Sequence, residues 1–217
     1  MTASLKTVTL ALPADDEPIS MVYSPETKDM YVSVPGTTPI VAVIDGANKI
    51  TTKIADSHDP ALMTYDAVTH DVYVADFTSL KSGNITVINS GNKVAATIKT
   101  PEIGVLGFVN PTNGEYYIGS PTGKVYVYSA ATVPTRVKTL NVGPIPAWVL
   151  FDPSTGDVMI LKYVSTAADS SLVVYSSANA LLGTVTLGLG GVYLTYDSTN
   201  TDVYVPNYGT DTVTVIT

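Results

Sequence analysis

The groups in this chain best suited to chemistry are carboxylates, and they sit in short polar loops. Asp15-Asp16-Glu17, Asp56-Ser57-His58-Asp59 and Glu102 each lie just ahead of a run of strand-forming residues. Loops of this kind could hold a hard cation, because Ca²⁺ takes roughly six to eight oxygens from carboxylates and carbonyls. The candidate ligands are Asp15, Asp16, Glu17, Asp56, Asp59 and Glu102. No EF-hand spacing is present, and a solvated acidic surface accounts for the same residues. His58 beside Asp59 could ligate a metal or act as a base, or be an ordinary loop histidine. The corresponding loops later in the chain, Asn141-Val142-Gly143-Pro144 and Leu187-Gly188-Leu189-Gly190, carry no charge.

A second group of residues suits recognition. Phe77, Tyr163 and Tyr208, with Asn207 and Asp211 close by, combine aromatic faces with amide and carboxylate groups. That mixture can stack on and hydrogen-bond a sugar, or anchor a protein contact. Tyrosine is amphipathic and equally at home as a plain surface residue. Trp148 falls inside an apolar strand, where packing is its expected role and ligand stacking a lesser one.

Composition removes several classes of function. Nineteen acidic residues against eleven basic ones, net −8, oppose nucleic-acid binding, which needs a basic surface to displace counterions. The chain has no cysteine, so disulfide scaffolds, thiolate zinc sites and cysteine nucleophiles are excluded. No apolar run is long enough to span a bilayer as a helix, so no membrane insertion is expected. An apolar content of 45% over 217 residues is ample for a large core.

The elements that must position these residues follow from an internal repeat. An aromatic residue is followed eight positions later by Tyr or Met in five segments: Tyr23-SPETKDM-Tyr31, Tyr65-DAVTHDV-Tyr73, Phe108-VNPTNGE-Tyr116, Phe151-DPSTGDV-Met159 and Tyr196-DSTNTDV-Tyr204. The periods are 42, 43, 43 and 45 residues, the length of one four-stranded propeller blade. Between turn signals, each run alternates or is wholly apolar at strand length, with no helical spacing. In the first unit the strands read Pro18 to Ser24, Asp29 to Val34, Ile40 to Ile44 and Lys49 to Ile54. Asp29, Asp71, Asp157 and Asp202 recur directly after the first turn, which points to hydrogen bonding within the turn rather than catalysis.

The expected fold is therefore all-β: a five-bladed β-propeller with four antiparallel strands per blade. Residues 1–17 supply the outer strand of blade five and a leading loop. Blades one to four span 18–59, 60–102, 103–145 and 146–190, and 191–217 form the inner strands of blade five. Leu5-Lys6-Thr7-Val8-Thr9-Leu10 resembles the outer strands Lys49-ITTK-Ile54 and Lys93-VAAT-Ile98, so the N-terminal strand is expected to complete the last blade and close the ring. Loops joining outer to next inner strand, and second to third strand, then share one rim. That rim collects the acidic arc and the aromatic residues.

Asp71-Val72-Tyr73-Val74 with Asn84-Ile85-Thr86-Val87-Ile88, and Asp202-Val203-Tyr204-Val205-Pro206-Asn207 with Thr212-Val213-Thr214-Val215-Ile216, resemble the YVTN family of β-propeller repeats over nearly the whole chain. The third and fourth units depart from its signature at Tyr117-Ile118-Gly119 and Met159-Ile160-Leu161-Lys162. Members of that family occur in surface-layer and other secreted proteins, so the resemblance implies an extracellular or cell-surface location. The inner strands Ile19-SMV-Tyr23, Ala61-LMT-Tyr65, Gly104-VLG-Phe108, Ala147-WVL-Phe151 and Val192-YLT-Tyr196 contain no Asp, Glu, His, Lys or Arg. Acid–base or nucleophilic catalysis at a propeller centre requires such a group. The leading expectation is a non-catalytic structural or interaction module that binds protein or glycan and needs no cofactor, with Ca²⁺ as an option. A lectin-like propeller is the first alternative, and a calcium-dependent hydrolase with loop-borne carboxylates the second.

Overall fold

The computed structural model describes residues 7–12, 17–56, 58–79, 82–104, 106–143, 145–165 and 168–217. Its strands form five antiparallel sheets in chain order. The first contains β1 (Ser20–Ser24), β2 (Asp29–Val34), β3 (Ile40–Ile44) and β4 (Ile50–Ala55). The second contains β5 (Pro60–Tyr65), β6 (Val72–Ser79), β7 (Ser82–Ile88) and β8 (Val94–Thr100). The third contains β9 (Leu106–Val109), β10 (Tyr116–Gly119), β11 (Lys124–Tyr128) and β12 (Arg136–Asn141). The fourth contains β13 (Pro146–Phe151), β14 (Val158–Lys162), β15 (Asp169–Tyr175) and β16 (Leu181–Leu189), and the last contains β17 (Thr195–Tyr196), β18 (Val203–Asn207) and β19 (Thr212–Ile216). Among the described residues no helix is present.

Position within a sheet explains each strand's sequence. The two middle strands are covered on both faces, so β2, β3, β7, β10 and β11 are almost continuously buried and read as apolar runs. Outer strands have one wet face, and β4, Ile50-Thr-Thr-Lys-Ile-Ala, alternates accordingly. Each consecutive pair of sheets encloses its own core. Tyr31, Val41 and Val43 meet Val72, Val74 and Ile88 between the first and second sheets, and Tyr73, Ile85 and Val87 meet Tyr116, Ile118 and Tyr126 between the second and third. Tyr117, Val125 and Val127 meet Val149, Ile160 and Val173 in the next interface, and Leu161 and Leu172 meet Leu194, Val203 and Val205 in the last.

The turn between first and second strands has one geometry throughout. Its fifth residue donates its backbone N–H to the carbonyl of the first, Ser24, Asp66, Asn110, Asp152 or Asp197, over 2.7–2.9 Å. That donor (Lys28, His70, Gly114, Gly156 or Thr201) sits in the left-handed region with φ between 61° and 75°. The turn-capping side chain also belongs to the first residue, not to the recurrent acid that follows. Oδ1 of Asp66, Asn110, Asp152 and Asp197 and Oγ of Ser24 accept the backbone N–H groups of Val68, Thr112, Ser154, Thr199 and Thr27.

Asp202 Oδ2 accepts from Asn200 Nδ2 within its own turn and Asp157 Oδ1 from the Ser177 backbone N–H within its own sheet, whereas the acids of the first and third sheets help to fasten sheets together. Asp29 Oδ2 accepts from Asn92 Nδ2 in the second sheet, and Glu115 Oε2 accepts from Asn179 Nδ2 in the fourth. The tyrosine two residues further on makes the parallel bond. Tyr31 Oη donates to Asn92 Oδ1 at 2.6 Å, Tyr73 Oη to Ala131 O at 3.2 Å and Tyr117 Oη to Asn179 Oδ1 at 2.7 Å. Asn92 and Asn179 occupy hairpin positions with φ of 58° and 61°, a conformation asparagine tolerates better than most residues. The same asparagine therefore shapes its own hairpin and receives the neighbouring sheet.

Two expectations change here. In the third unit the repeat is displaced by one residue: Tyr117 pairs with Phe108, as Tyr73 pairs with Thr64, so Val109 and Tyr116 stand where Tyr65 and Val72 stand in the second. Glu115 thus fills the acid position. Tyr116 points the other way and stacks on Tyr73, with ring centroids 4.9 Å apart. A Cβ at residue 107 would overlap the Tyr116 hydroxyl, which is why Gly107 faces it. At the N-terminus, Leu5 and Lys6 lie outside the described residues, while Thr7 to Leu12 carry no strand assignment. Leu12 packs on the first sheet against Val32, Val34, Ile40 and Ala42. The last sheet has three described strands, with Val213 and Val215 exposed on β19.

Removing one inter-sheet hydroxyl should be costly. Tyr117→Phe leaves Asn179 Oδ1 buried without that donor, and we expect a loss of about 1–2 kcal/mol in urea unfolding at unchanged slope.

Candidate functional site

The rim expected to carry function is built from the residue three positions beyond Tyr31, Tyr73, Tyr117, Met159 and Tyr204, at the end of the second strand. In the first sheet this residue is Val34, completely buried. The equivalents are Asp76, Ser120, Lys162 and Asn207, so an apolar position becomes polar elsewhere round the rim.

Asp76 ends the regular part of β6, opposite Pro60 on one side and Asn84 on the other. Asp56 follows β4 and is drawn inward, its backbone N–H bonded to Pro39 O at 3.0 Å and its Oδ1 accepting the His58 backbone N–H at 3.1 Å. These placements bring Asp56, His58 and Asp76 together. His58 Nδ1 lies 3.4 Å from Asp56 Oδ1 and 3.8 Å from Asp76 Oδ2, with side-chain exposures of 22%, 2% and 0% for His58, Asp56 and Asp76. Thr86 Oγ1 donates to Asp76 Oδ2 at 2.7 Å, whereas Asp56 Oδ2 and Asp76 Oδ1 are buried with no hydrogen-bond partner among the described residues. Burial, followed by the charge of Asp56, pushes the Asp76 carboxyl up to about 8. Burial also raises Asp56, against the opposing effect of His58.

The remaining expected cation ligands do not join this cluster. Asp15 and Asp16 lie outside the described residues. Glu17 and Asp59 are exposed and line a rim cleft of about 380 Å³ with Ile19, Pro35, Gly36, Pro60 and Ala61. Glu102 belongs to the third sheet, where Lys124 Nζ donates to it at 3.1 Å and the Ser120 and Thr122 hydroxyls donate to its other oxygen. Burial alone would raise this carboxyl, but hydrogen bonds from Ser120, Thr122, Lys124 and Tyr126 outweigh it and hold Glu102 down to about 2.

The aromatic group is dispersed along the rim. Phe77 lies in β6, and its side chain is outside the described ones. Tyr163 is half-buried, its backbone N–H bonded to Ile145 O at 3.1 Å. Tyr208 is 76% exposed in the β18–β19 turn, which Asp211 closes with a φ of 53°. Asn207 is buried: its Nδ2 donates to the Thr212 and Thr214 hydroxyls at 3.1 and 2.8 Å, and its Oδ1 has no partner among the described residues. Trp148 packs edge-on against Phe108 at 5.5 Å and tilts on Tyr193 at 4.6 Å, within the core between the last two sheets.

Reading the chain from its sequence placed Asp56 among candidate ligands and gave His58 a possible metal role, but omitted Asp76 from the set. The available signal was the substitution of an acid at the position that holds a buried valine in the first repeat.

Comparison with protein families gives no match, and comparison with curated proteins gives none either. Similar folds do occur among solved structures. Hydrazine synthase from Kuenenia stuttgartiensis aligns at 13% identity over 93% of this chain and 58% of that one, with a TM-score of 0.72. The periplasmic gluconolactonase of Pseudomonas aeruginosa aligns at 11% identity over 91% of this chain and 65% of that one, TM-score 0.66. A Bacteroides caccae protein of unknown function aligns at 13% identity over 91% and 73% of the two chains, TM-score 0.60. This chain thus spans less than two thirds of the first two. The likeness is one of fold, an all-β, propeller-like array of antiparallel sheets.

The Glu102 network sets a pH dependence. Its folded pKa is depressed below the ordinary ~4.3, so its contribution is complete above that value and is lost as pH falls toward 2. Glu102→Gln should lower Tm by about 2–4 °C at pH 7, and the gap from wild type should narrow steadily below pH ~4 in calorimetric melts.

Proposed function

We propose that the chain is a non-catalytic binding module, a closed five-bladed propeller that works outside the cell or at its surface and engages a glycan or protein through the rim. The observation that carries this reading is the cleft between the first and second sheets. Its floor is Ile19, Pro35, Pro60 and Ala61, and Glu17 and Asp59 stand at its edge. Carboxylates paired with an apolar floor suit a sugar, whose hydroxyls bond to the former while its C–H face covers the latter. The five inner strands contain no Asp, Glu, His, Lys or Arg for acid–base chemistry, which favours recognition over turnover. The extracellular setting rests on the likeness to YVTN repeats.

Closure of the ring has support of its own. Asp202 and Tyr204 hold in the last sheet the positions that Asp29 and Tyr31 hold in the first. Asn48, with φ of 59°, stands in the first sheet where Asn92 stands in the second. A closed ring brings these two ends together as one more staple, and a fourth strand from the N-terminus covers the exposed Val213 and Val215 of β19.

Two measurements test this reading. A labelled chain on a glycan array should bind at least one sugar class, with the signal lost in Glu17→Gln/Asp59→Asn; an array silent throughout removes the glycan partner. A double-mutant cycle of Tyr204→Phe with Asn48→Ala should give a coupling of about 0.5–1.5 kcal/mol, and additive losses would rule out closure by this contact.

A further inference from the structure

The Asp56, His58 and Asp76 cluster presents an electrostatic difficulty in the absence of a cation. Two carboxylates are held essentially out of water, each with one oxygen lacking any hydrogen-bond donor among the described residues. A buried carboxylate oxygen without a partner is expensive, and two carboxylates this close repel one another. The imidazole Nδ1 stands 3.4 Å from Asp56 Oδ1 and 3.8 Å from Asp76 Oδ2, so it faces one oxygen of each carboxylate, and Asp56 Oδ2 and Asp76 Oδ1 stay without a donor among the described residues.

The spacing matches a different arrangement. Donors about 2.1 Å from a tetrahedral zinc ion lie about 3.4 Å from one another. One ligand atom from each of Asp56, His58 and Asp76 can be chosen so that all three fall within 4.8 Å of one another. We propose that these three residues form a site for a divalent cation of the zinc class, placed at the rim where the chain passes from the first sheet to the second. The cation supplies positive charge where two desolvated carboxylates converge. Calcium is the poorer fit, since it seeks roughly six to eight oxygens and the cluster offers two carboxylates and a nitrogen.

The sheet scaffold holds the donors in place. Asp76 is fixed by its strand pairing and by the Thr86 hydroxyl, Asp56 by its backbone bond to Pro39 and by the His58 backbone N–H. His58, at 22% side-chain exposure, is the one ligand open to solvent and marks the route of entry. Three protein donors leave a coordination position for water or for a donor from a bound partner. This site is separate from the Glu17 and Asp59 cleft, and the inference does not rest on the binding role assigned to that cleft.

The test uses the full chain stripped with EDTA and titrated with zinc chloride alone, followed by calorimetry and melting. One zinc per chain should bind, and Tm should rise by about 5–10 °C at a hundredfold excess over Kd. Asp76→Asn and His58→Ala should each lose at least the roughly 10–100-fold in affinity that even an outer-shell partner is worth. His58→Ala keeps the backbone N–H bonded to Asp56 Oδ1, so its metal-free chain should still unfold in one cooperative transition, which separates ligand loss from misfolding. Absence of zinc binding, affinity retained in both variants, or a response to calcium chloride but not to zinc would each overturn the proposal.

Discussion

Stacking of one sheet on the next governs this molecule, and a repeated contact between a second-strand tyrosine and the following sheet's last hairpin sets the stacking distance. A four-stranded sheet has two faces and can cover neither by itself. Tyr31, Tyr73 and Tyr117 each bury a ring between sheets and end in a hydroxyl bonded to Asn92, Ala131 and Asn179 respectively. The ring contributes apolar area and the hydroxyl fixes register, so that one side chain determines both how close the sheets approach and how they are aligned. Where Met159 replaces tyrosine the hydroxyl is missing, and the last interface relies on Leu161, Leu172, Leu194 and Val205 packed with Trp148.

The rim inherits its chemistry from this arrangement. Because the tyrosine is pinned in the first three sheets, the residue three places later is delivered to the rim at the end of the second strand. Val34 seals the first sheet, Asp76 supplies a buried carboxylate to the second, and Ser120 clamps Glu102 in the third. Neighbouring carboxylates on one rim thereby have opposite fates. Glu102 is surrounded by donors and stays ionised, while Asp76 is buried beside another carboxylate and its ionisation is opposed.

Much of this was legible in the chain. Strand order and most boundaries follow from turn residues and from the contrast between apolar middle strands and alternating outer ones. The third repeat was misjudged by one residue because Phe108 imitates the marker aromatic, whereas the pairing of Tyr117 with Phe108 puts Val109 in the equivalent place. Aromatic spacing is a weak guide when both Tyr116 and Tyr117 are available and each finds a core of its own. The recurrent acids were recognisable as structural: Asp202 bonds within its own turn, but Asp29 reaches Asn92 in the next sheet, a partner no local pattern reveals.

Periodicity alone determined that this chain is all-β and built from repeated antiparallel sheets, because side-chain alternation and left-handed turn residues act within a few positions along the backbone. Tertiary structure decided which acids meet. Asp56 ends one repeat and Asp76 lies in the next, and sheet stacking brings both to His58 while Glu17 and Asp59 stay in an open cleft and Glu102 is held ionised by donors of the third sheet. Coulomb interaction and desolvation depend on distance and burial through space, and neither can be read from order along the chain.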